Sequence, residues 1–408
     1  MNSFSSLAKM TWKGFLRKDG RIGIRNKVLV IYTVECAHFV VEKIVRLIDN
    51  KDVEEIGFTG CCDNEYAVRM LLALARHPNV GAVLAIGLGC EYVQPDAIAE
   101  KAREAGLYAE SFYIQKVGGT FPAVQKGIAI VKDFLMRLHN TKLVDMSLKD
   151  LVIGSECGGS DFTSGLAGNA VVGKFYDYLI DIDGTAIFEE IMEGVGLKNY
   201  LVDRGETPVV KEEIGRAYDK MIKHCQSICQ YSISPGNFMG GLSSIEEKSM
   251  GSMMKSGTRP ISGVLKCSMV PRRHGLWLLD SVPDDYFMGF GKTNPNDSEG
   301  IFDLISCGCQ LILFVTGRGS DIGSAISPTL KVTGNKITFL NMHDDLDFCA
   351  GPIIDGTLTM EEMSKKLAEL IIAVSSGKQL TCAEKLGHKE YYIPYKYQNI
   401  GQECANFK

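Results

Sequence analysis

Residues 27–34 read Lys27-Val-Leu-Val-Ile-Tyr-Thr-Val34, and this near-continuous apolar run decides the fold. A strand with one wet face alternates apolar and polar residues, whereas a strand covered on both faces by helices is apolar throughout. Helical periodicity comes next, from Phe39 to Ile48, so the segment is a β-α step. The step repeats. A strand around Ile56 to Thr59 passes through Gly60 to a helix over Glu65–Arg76, and a buried strand over Ala82–Leu88 leads to a helix over Pro95–Ala105. Strands alternating with helices across Lys27–Leu138 predict a doubly wound, Rossmann-like parallel sheet whose ligands gather at C-terminal strand ends.

From Asn140 to Ser147 the pattern relaxes into a polar connection. Strand character resumes at Leu151–Gly154, Gly184–Phe188, Ile261–Leu265, Leu311–Thr316 and Lys336–Leu340, with helices around Ala170–Leu179 and Met360–Ser375. The fold class expected is therefore α/β, with two α/β domains and mainly parallel sheets. The N-terminal domain spans 12–145, the C-terminal catalytic domain 146–392, and an irregular tail 393–408. With 408 residues, 45% of them hydrophobic, the chain is long enough for two cores.

A formal charge of −5 without clustered Lys or Arg leaves no basic footprint for nucleic acid. No run of about 18 apolar residues suggests a membrane span. Met1 to Lys13 lacks the apolar region of a signal peptide, so a cytoplasmic location is expected. In that setting the thirteen cysteines read as reduced thiols, some of them ligands.

Four apolar strands run into cysteine: Thr33-Val-Glu-Cys36, Thr59-Gly-Cys61, Gly87-Leu-Gly-Cys-Glu91 and Ser155-Glu-Cys-Gly-Gly-Ser-Asp161. Thiols at neighbouring strand ends can converge on one metal, although cysteine also suits a strand end as a small buried hydrophobe. The Glu156–Asp161 turn offers two carboxylates and glycine backbone amides ahead of a helix, a cradle for an anion or metal; its plainer reading is Asp161 as a helix cap. Ser234-Pro-Gly-Asn-Phe-Met-Gly-Gly241 runs into a helix capped by Ser243 or Ser244, with Lys248 one turn in as an anion ligand or base, its plainer reading being a solvated helix residue. In Thr316-Gly-Arg-Gly319, Arg318 stands at a strand end where its fork can grip a carboxylate. His343-Asp-Asp-Leu-Asp347 pairs a histidine with acids suited to a divalent ion or acid–base work.

Taken in order, Gly14-Phe-Leu-Arg-Lys-Asp-Gly-Arg-Ile-Gly-Ile-Arg-Asn26, Gly87–Glu91, Glu156–Asp161, Ser234–Asn237, Ile245-Glu-Glu-Lys248 and Thr316–Gly319 cover nearly the whole chain. They resemble the hydro-lyases that include altronate dehydratase, galactarate dehydratase and the large subunit of sulfolactate sulfo-lyase. The resemblance implies a metal-dependent lyase acting on a small 2-hydroxy acid, with Fe2+ as cofactor and Mn2+ or Mg2+ as substitutes; an iron–sulfur cluster is supported only by the cysteine count. A metal chelating the substrate carboxylate and 2-hydroxyl would stabilise the carbanion equivalent left when a base removes the C2 proton. A C3 hydroxyl then leaves as water to give a 2-keto-3-deoxy acid, or a C3 sulfonate leaves as sulfite to give pyruvate.

On this basis Glu156, Asp161, Lys248 and His343 are the expected catalytic residues. Arg25, Asn26, Gly158, Gly159, Ser160, Asn237 and Arg318 are expected to bind substrate, and Cys36, Cys61, Cys90, Cys157 and Asp345 the metal. Three departures from the family pattern leave the substrate open: Phe58-Thr-Gly-Cys61 lacks the histidine common before Gly-Cys, Ala167-Gly-Asn-Ala170 replaces Ala-Asn-Pro, and Leu346–Gly351 is altered. The Gly14 motif begins almost at once, so the small SAF-type domain of single-chain members is expected as a separate subunit; self-association is left open. A sulfo-lyase large subunit and a non-catalytic sugar-acid-binding protein are the competing readings.

Overall fold

A computed structural model describes residues 4, 6–61, 65–282, 296–390 and 393. In chain order its strands are β1 (Trp12–Leu16), β2 (Ile22–Gly23), β3 (Lys27–Tyr32), β4 (Val53–Gly57), β5 (Val80–Gly87), β6 (Tyr108–Tyr113), β7 (Leu143–Met146), β8 (Val152–Cys157), β9 (Thr185–Phe188), β10 (Ile261–Lys266), β11 (Gly275–Asp280), β12 (Leu311–Val315), β13 (Thr329–Thr333) and β14 (Phe348–Cys349). Contacts divide the chain into two compact units, one containing Lys13–Val144 and the other Asp145–Val282 with Thr293–Glu390. Both are α/β. The tail expected over 393–408 lies outside the described residues except for Ile393.

The smaller unit is a four-stranded parallel sheet in the order β4-β3-β5-β6. Every residue of β3 is buried, as its apolar run requires. Val28, Val30 and Tyr32 face a core with Val40, Val41 and Ile44 of the helix Glu35–Ile48 and Val131 and Phe134 of the helix Thr120–Leu138. Helices Glu65–Leu74 and Pro95–Glu104 contact each other, and the second packs on β5 and β6. A short sheet, β2-β1-β7, adds an antiparallel β1/β2 pair.

The larger unit holds a seven-stranded sheet, β10-β11-β9-β8-β12-β13-β14, with every pairing parallel. Helix Asn169–Asp181 packs against Met360–Ser375, Pro208–Ser227 against β10, and Asp297–Ser306 against β8 and β12. One expected strand is a helix: Lys336-Ile-Thr-Phe-Leu340 has strand-like alternation but forms the helix Lys336–Asn341. The Asn335 Oδ1 accepts from Ile337 N at 3.0 Å and Thr338 N at 3.2 Å, and the segment buries no side chain, so a cap outweighs β propensity. Among the described residues no helix is long and apolar enough to cross a membrane.

Gly173, in helix Asn169–Asp181, lies against the turn Met254–Ser256; a Cβ there would sit 2.0 Å from the Met254 carbonyl oxygen. Backbone cannot give way as a flexible side chain can. Gly173→Ala is expected to cost about 1–3 kcal/mol, the range for overpacking, read as a lower urea midpoint at unchanged slope. An unchanged midpoint would show that the helix and turn separate freely.

Candidate active site

From β8 the chain builds through β9 to β10 and β11 on one side, then returns with β12 on the other. The strand order therefore reverses between β8 and β12, and adjoining loops diverge to open a crevice at the carboxyl ends. The β8/β9 register sets Ser155 opposite Phe188, so Glu156, the next residue of β8, and Glu189, the first past β9, lie side by side and buried. Glu190 takes a left-handed backbone, φ 75°, rare for a side chain of its size and the kind of strain found at functional turns. It bends the chain into Ile191–Glu193. As a result Glu190 Oε2 accepts from Cys157 N at 2.7 Å, and the Cys157 thiol lies 3.4 Å from Glu193 Oε2.

Two lysines close the group. Ser244 caps the helix Ile245–Met253, accepting from Glu247 N at 3.3 Å, and Gly165 meets Gly251 so closely that a Cβ on Gly165 would be 2.7 Å from the Gly251 Cα. That approach seats Lys248, whose Nζ is 2.5 Å from Glu193 Oε1 and 2.5 Å from the Ser232 carbonyl oxygen. Lys255, fully buried, donates to Glu190 Oε2 and lies 2.9 Å from Ser252 Oγ and 3.2 Å from Cys157 Sγ.

Four buried carboxyl groups thus face two ammonium groups, and the imbalance sets the protonation states. Burial, then the charges of Glu189 and Glu190, push Glu156 well above the ordinary carboxyl range. Burial raises the neighbouring Glu189 as well. Burial also works against Glu193, but Lys248 and Lys255 overcome it and hold the carboxylate at about 2. The Cys157 thiol is raised by burial and by Glu190, more than Lys255 offsets. Burial opposes the Lys255 charge as well; Cys157, Glu190 and Glu193 keep its pKa well above the lysine norm. With the thiol neutral, the carboxylates supply that field.

The donor set fits a divalent metal. Glu156, Glu189 and Glu190 bring one ligand oxygen each within 4.8 Å of the others, as do Cys157, Glu190 and Glu193 with their ligand atoms. Glu156 Oε2 is buried without a hydrogen-bond partner, a cost a cation would remove. The all-oxygen triad suits a hard ion such as Mg2+, Mn2+ or Fe2+ and contains the unpartnered Glu156 oxygen, whereas Lys255 contacts a member of both groups. The oxygen triad is the better fit.

The residues singled out from sequence fall into three places. Asp161, Ser160, Gly158, Gly159, Asn237, Arg318, Lys248, Glu156 and Cys157 belong to the larger unit. Asp161 anchors its own turn: Oδ1 accepts from Thr163 N at 2.8 Å, Thr163 Oγ1 at 2.6 Å and Ser164 N at 3.1 Å, while Oδ2 accepts from Asn335 Nδ2 at 2.9 Å. Gly158 N donates to the Val315 carbonyl at 3.0 Å, and Gly159, φ 59°, accepts from Arg318 N at 3.0 Å. Asn237 Nδ2 holds the Ser160 carbonyl at 3.0 Å, and Arg318 Nη1 donates to the Gly236 carbonyl at 2.8 Å. Two cavities open here: one of about 400 Å3 lined by Asp161, Arg318 and Asn335, and one of about 420 Å3 lined by Ser160, Asn169, Lys248 and Ser252. Ser160, Asn169 and Ser252 surround the Cys157 sulfur, so the second cavity has the buried group at its floor.

His343 and Asp345 form a second place, also in the larger unit. His343 is exposed, its Nε2 3.3 Å from Asp344, and Asp345 is 4.0 Å from His388 Nε2. The third place is the smaller unit, with Arg25, Asn26, Cys36, Cys61 and Cys90. Arg25 Nη1 donates to the Ile24 carbonyl at 2.9 Å; Asn26 accepts from Arg17 Nη1 and donates to Thr141 Oγ1, both at 3.0 Å. Cys36, Cys61 and Cys90 are exposed and Cys157 is buried.

Residues 148–399 match the family model described as D-galactarate/altronate dehydratase, C-terminal, and residues 14–139 the model described as D-galactarate dehydratase/altronate hydrolase, second domain. The chain belongs to the D-galactarate/altronate dehydratase family. It is 32% identical to altronate dehydratase of Bacillus subtilis, covering 94% of this chain and 77% of that protein. It is 28% identical to galactarate dehydratase (L-threo-forming) of Escherichia coli, covering 92% and 75%, and 27% identical to (2R)-sulfolactate sulfo-lyase subunit beta of Chromohalobacter salexigens, covering 95% and 98%. These relatives are lyases, and the chain is a lyase.

Sequence alone misses Glu189, Glu190, Glu193, Lys255 and Asp297. The strand Gly184–Phe188 is legible, and Glu189 and Glu190 stand immediately beyond it, the position that marks the strand-end cysteines; nothing marks Lys255. Asp297 begins the helix Asp297–Ser306 and stands over Gly158, where a Cβ would lie 1.9 Å from its Oδ2. Burial, then the Glu193 charge, raise Asp297 from the usual 3.8 to about 6. A raised carboxyl favours the folded state below pH 3.8 and loses that contribution as pH climbs to about 6. Asp297→Asn should therefore flatten the fall in stability between about pH 4 and 6 and stabilise the protein above it, as measured by denaturant melts across pH. An unchanged pH profile would mean that Asp297 titrates normally.

Proposed function

We propose that this chain is a metal-dependent dehydratase that removes water from a sugar acid such as altronate or galactarate to give a 2-keto-3-deoxy acid. The observation that carries the reading is the buried Glu156–Glu189–Glu190 group, its ligand oxygens within 4.8 Å of one another and one Glu156 oxygen unpartnered, at the switch point of a parallel sheet. The dehydratase names of two relatives support the substrate class. Glu156, Glu189 and Glu190 would hold the metal, which when bound polarises the substrate's carboxylate and 2-hydroxyl as a Lewis acid.

The chain's own side chains supply the rest. Lys248, charged through its pairing with Glu193, faces the cavity and holds an anionic substrate carboxylate, and Arg318 does the same in the adjoining cavity. Ser160 and Asn169 offer hydrogen bonds to sugar hydroxyls. Asp297, ionised above about pH 6, accepts the C2 proton. Electrons of that bond form the C2–C3 double bond as the C3 hydroxyl takes up the proton Asp297 accepted and leaves as water, and the enol relaxes to the ketone. Asp161 and Asn237 keep the glycine turn in place. Near-complete coverage of a relative named subunit beta supports action with a separate small subunit.

Anaerobic full-length protein with ferrous iron, alone and with a small subunit encoded beside it, is expected to give keto acid without sulfite from altronate or galactarate. Chelation should abolish turnover, and Glu189→Gln should lower it on the order of 100-fold, the scale for removing one preorganised electrostatic group. Pyruvate with sulfite from sulfolactate, and no product from the sugar acids, would replace the dehydratase reading. Sugar-acid binding without turnover would make the chain a binding protein.

A further inference from the structure

The carboxylate group of the larger unit is also held from β11. That strand lies beside β9 with Leu278 opposite Phe188, so the chain leaving β11 passes the carboxyl end of β9, where Glu189 stands. Ser281, the first residue past β11, is buried, and its hydroxyl donates to Glu189 Oε1. A serine hydroxyl has one proton to give, and this one goes to the carboxylate. Glu189 is tied through its backbone as well, N donating to the Ser155 carbonyl at 3.3 Å.

The residues on either side of Ser281 are fixed in turn. Asp280, buried, receives Lys220 Nζ at 2.8 Å and Lys266 Nζ at 2.5 Å on Oδ2, and its Oδ1 accepts from Val282 N at 3.2 Å. Lys220 reaches in from the helix Pro208–Ser227 and also donates to the Val282 carbonyl at 2.6 Å. One ammonium therefore joins residues 280 and 282 and straddles Ser281. A buried carboxylate needs a cationic partner, but that need does not call for a bond to backbone. The bond from Lys220 to Val282 restrains the peptide that carries the serine.

We propose that Ser281 is a positioning residue, which orients the Glu189 carboxylate for the metal and is itself held by the Lys220–Asp280 clamp. The inference rests on the metal-holding role proposed above for Glu156, Glu189 and Glu190. Each of these has its own support: Glu190 Oε2 accepts from Cys157 N at 2.7 Å, and Glu156 lies against Gly300, where a Cβ would sit 2.4 Å from its Oε1. Ser281 does this for Glu189. A carboxylate fixed before the ion arrives loses less freedom on binding it, and removing a hydrogen-bond partner of a ligand weakens metal affinity by about 10–100-fold.

The test is a Mn2+ titration of the full chain without substrate, free ion being followed by electron paramagnetic resonance, with circular dichroism and urea midpoints taken on every variant. Ser281→Ala is expected to raise the Mn2+ Kd about 10–100-fold, and Ser281→Thr, which keeps the hydroxyl, to recover most of the affinity. Lys220→Met, which keeps the stem and removes the charge, should raise Kd in the same direction by less, and it carries the test should Ser281→Ala not fold. Ser375→Ala, at an equally buried hydroxyl with no hydrogen-bond partner, should leave Kd unchanged. A Ser281→Ala protein that loses stability but keeps the wild-type Kd would make the serine merely structural and overturn the inference. If Glu189→Gln loses the ion while Ser281→Ala and Lys220→Met keep it, the metal reading stands and the positioning role falls. A wild type that binds no Mn2+ overturns both.

Discussion

Setting Glu156 beside Glu189 is the constraint on which the larger unit depends. Two carboxyls side by side at the ends of adjacent buried strands do not readily both ionise in a dry interior. The fold meets this with Lys255 against Glu190 and with Lys248 against Glu193, while burial pushes Glu156 well above the ordinary carboxyl range. Each lysine is in turn fixed by close backbone packing, through the Gly165–Gly251 approach and the contact of Gly173 with the Met254 carbonyl. Glycines far from the carboxylates in sequence are therefore part of their electrostatics.

The two units share a plan. Each is a parallel sheet whose strand order reverses once, and each has polar or thiol side chains at or just past the strand ends at the reversal. The chemistry differs because the residues after the strands differ: oxygen donors and lysines in the larger unit, exposed thiols in the smaller. Grouping four strand-end cysteines by their sequence context joins two environments that the fold separates. Cys157, buried and raised by Glu190, is a neutral thiol bracketed by Lys255, Ser252 and Asn169.

Apolar runs such as Val28–Ile31 and Leu311–Val315 are legible because a strand covered on both faces needs no polar residue. Thr329–Thr333 is not, because buried Lys331 breaks the run, and Lys336–Leu340 misleads because its cap, Asn335, decides the local conformation. The glycine turn at Gly158–Asp161 is legible in composition. Its electrostatic partners are not, since strand register, which one sequence does not encode visibly, brings Glu189 to Glu156.

The recognisable strings do less chemistry than their prominence suggests. Asp161 spends both oxygens on its own turn and on Asn335, Asn237 holds the Ser160 carbonyl, and Arg318 ties its loop to Gly159 and Gly236. Their hydrogen bonds fix the walls of the two cavities, and a wall must keep one shape whatever sugar acid it encloses. The charged floor is written in residues without a motif, Glu189, Glu190, Glu193 and Lys255, because a buried charge needs only a partner at the right distance. Motif strings therefore report the scaffold of such a site, and unmarked acids after strand ends report its chemistry.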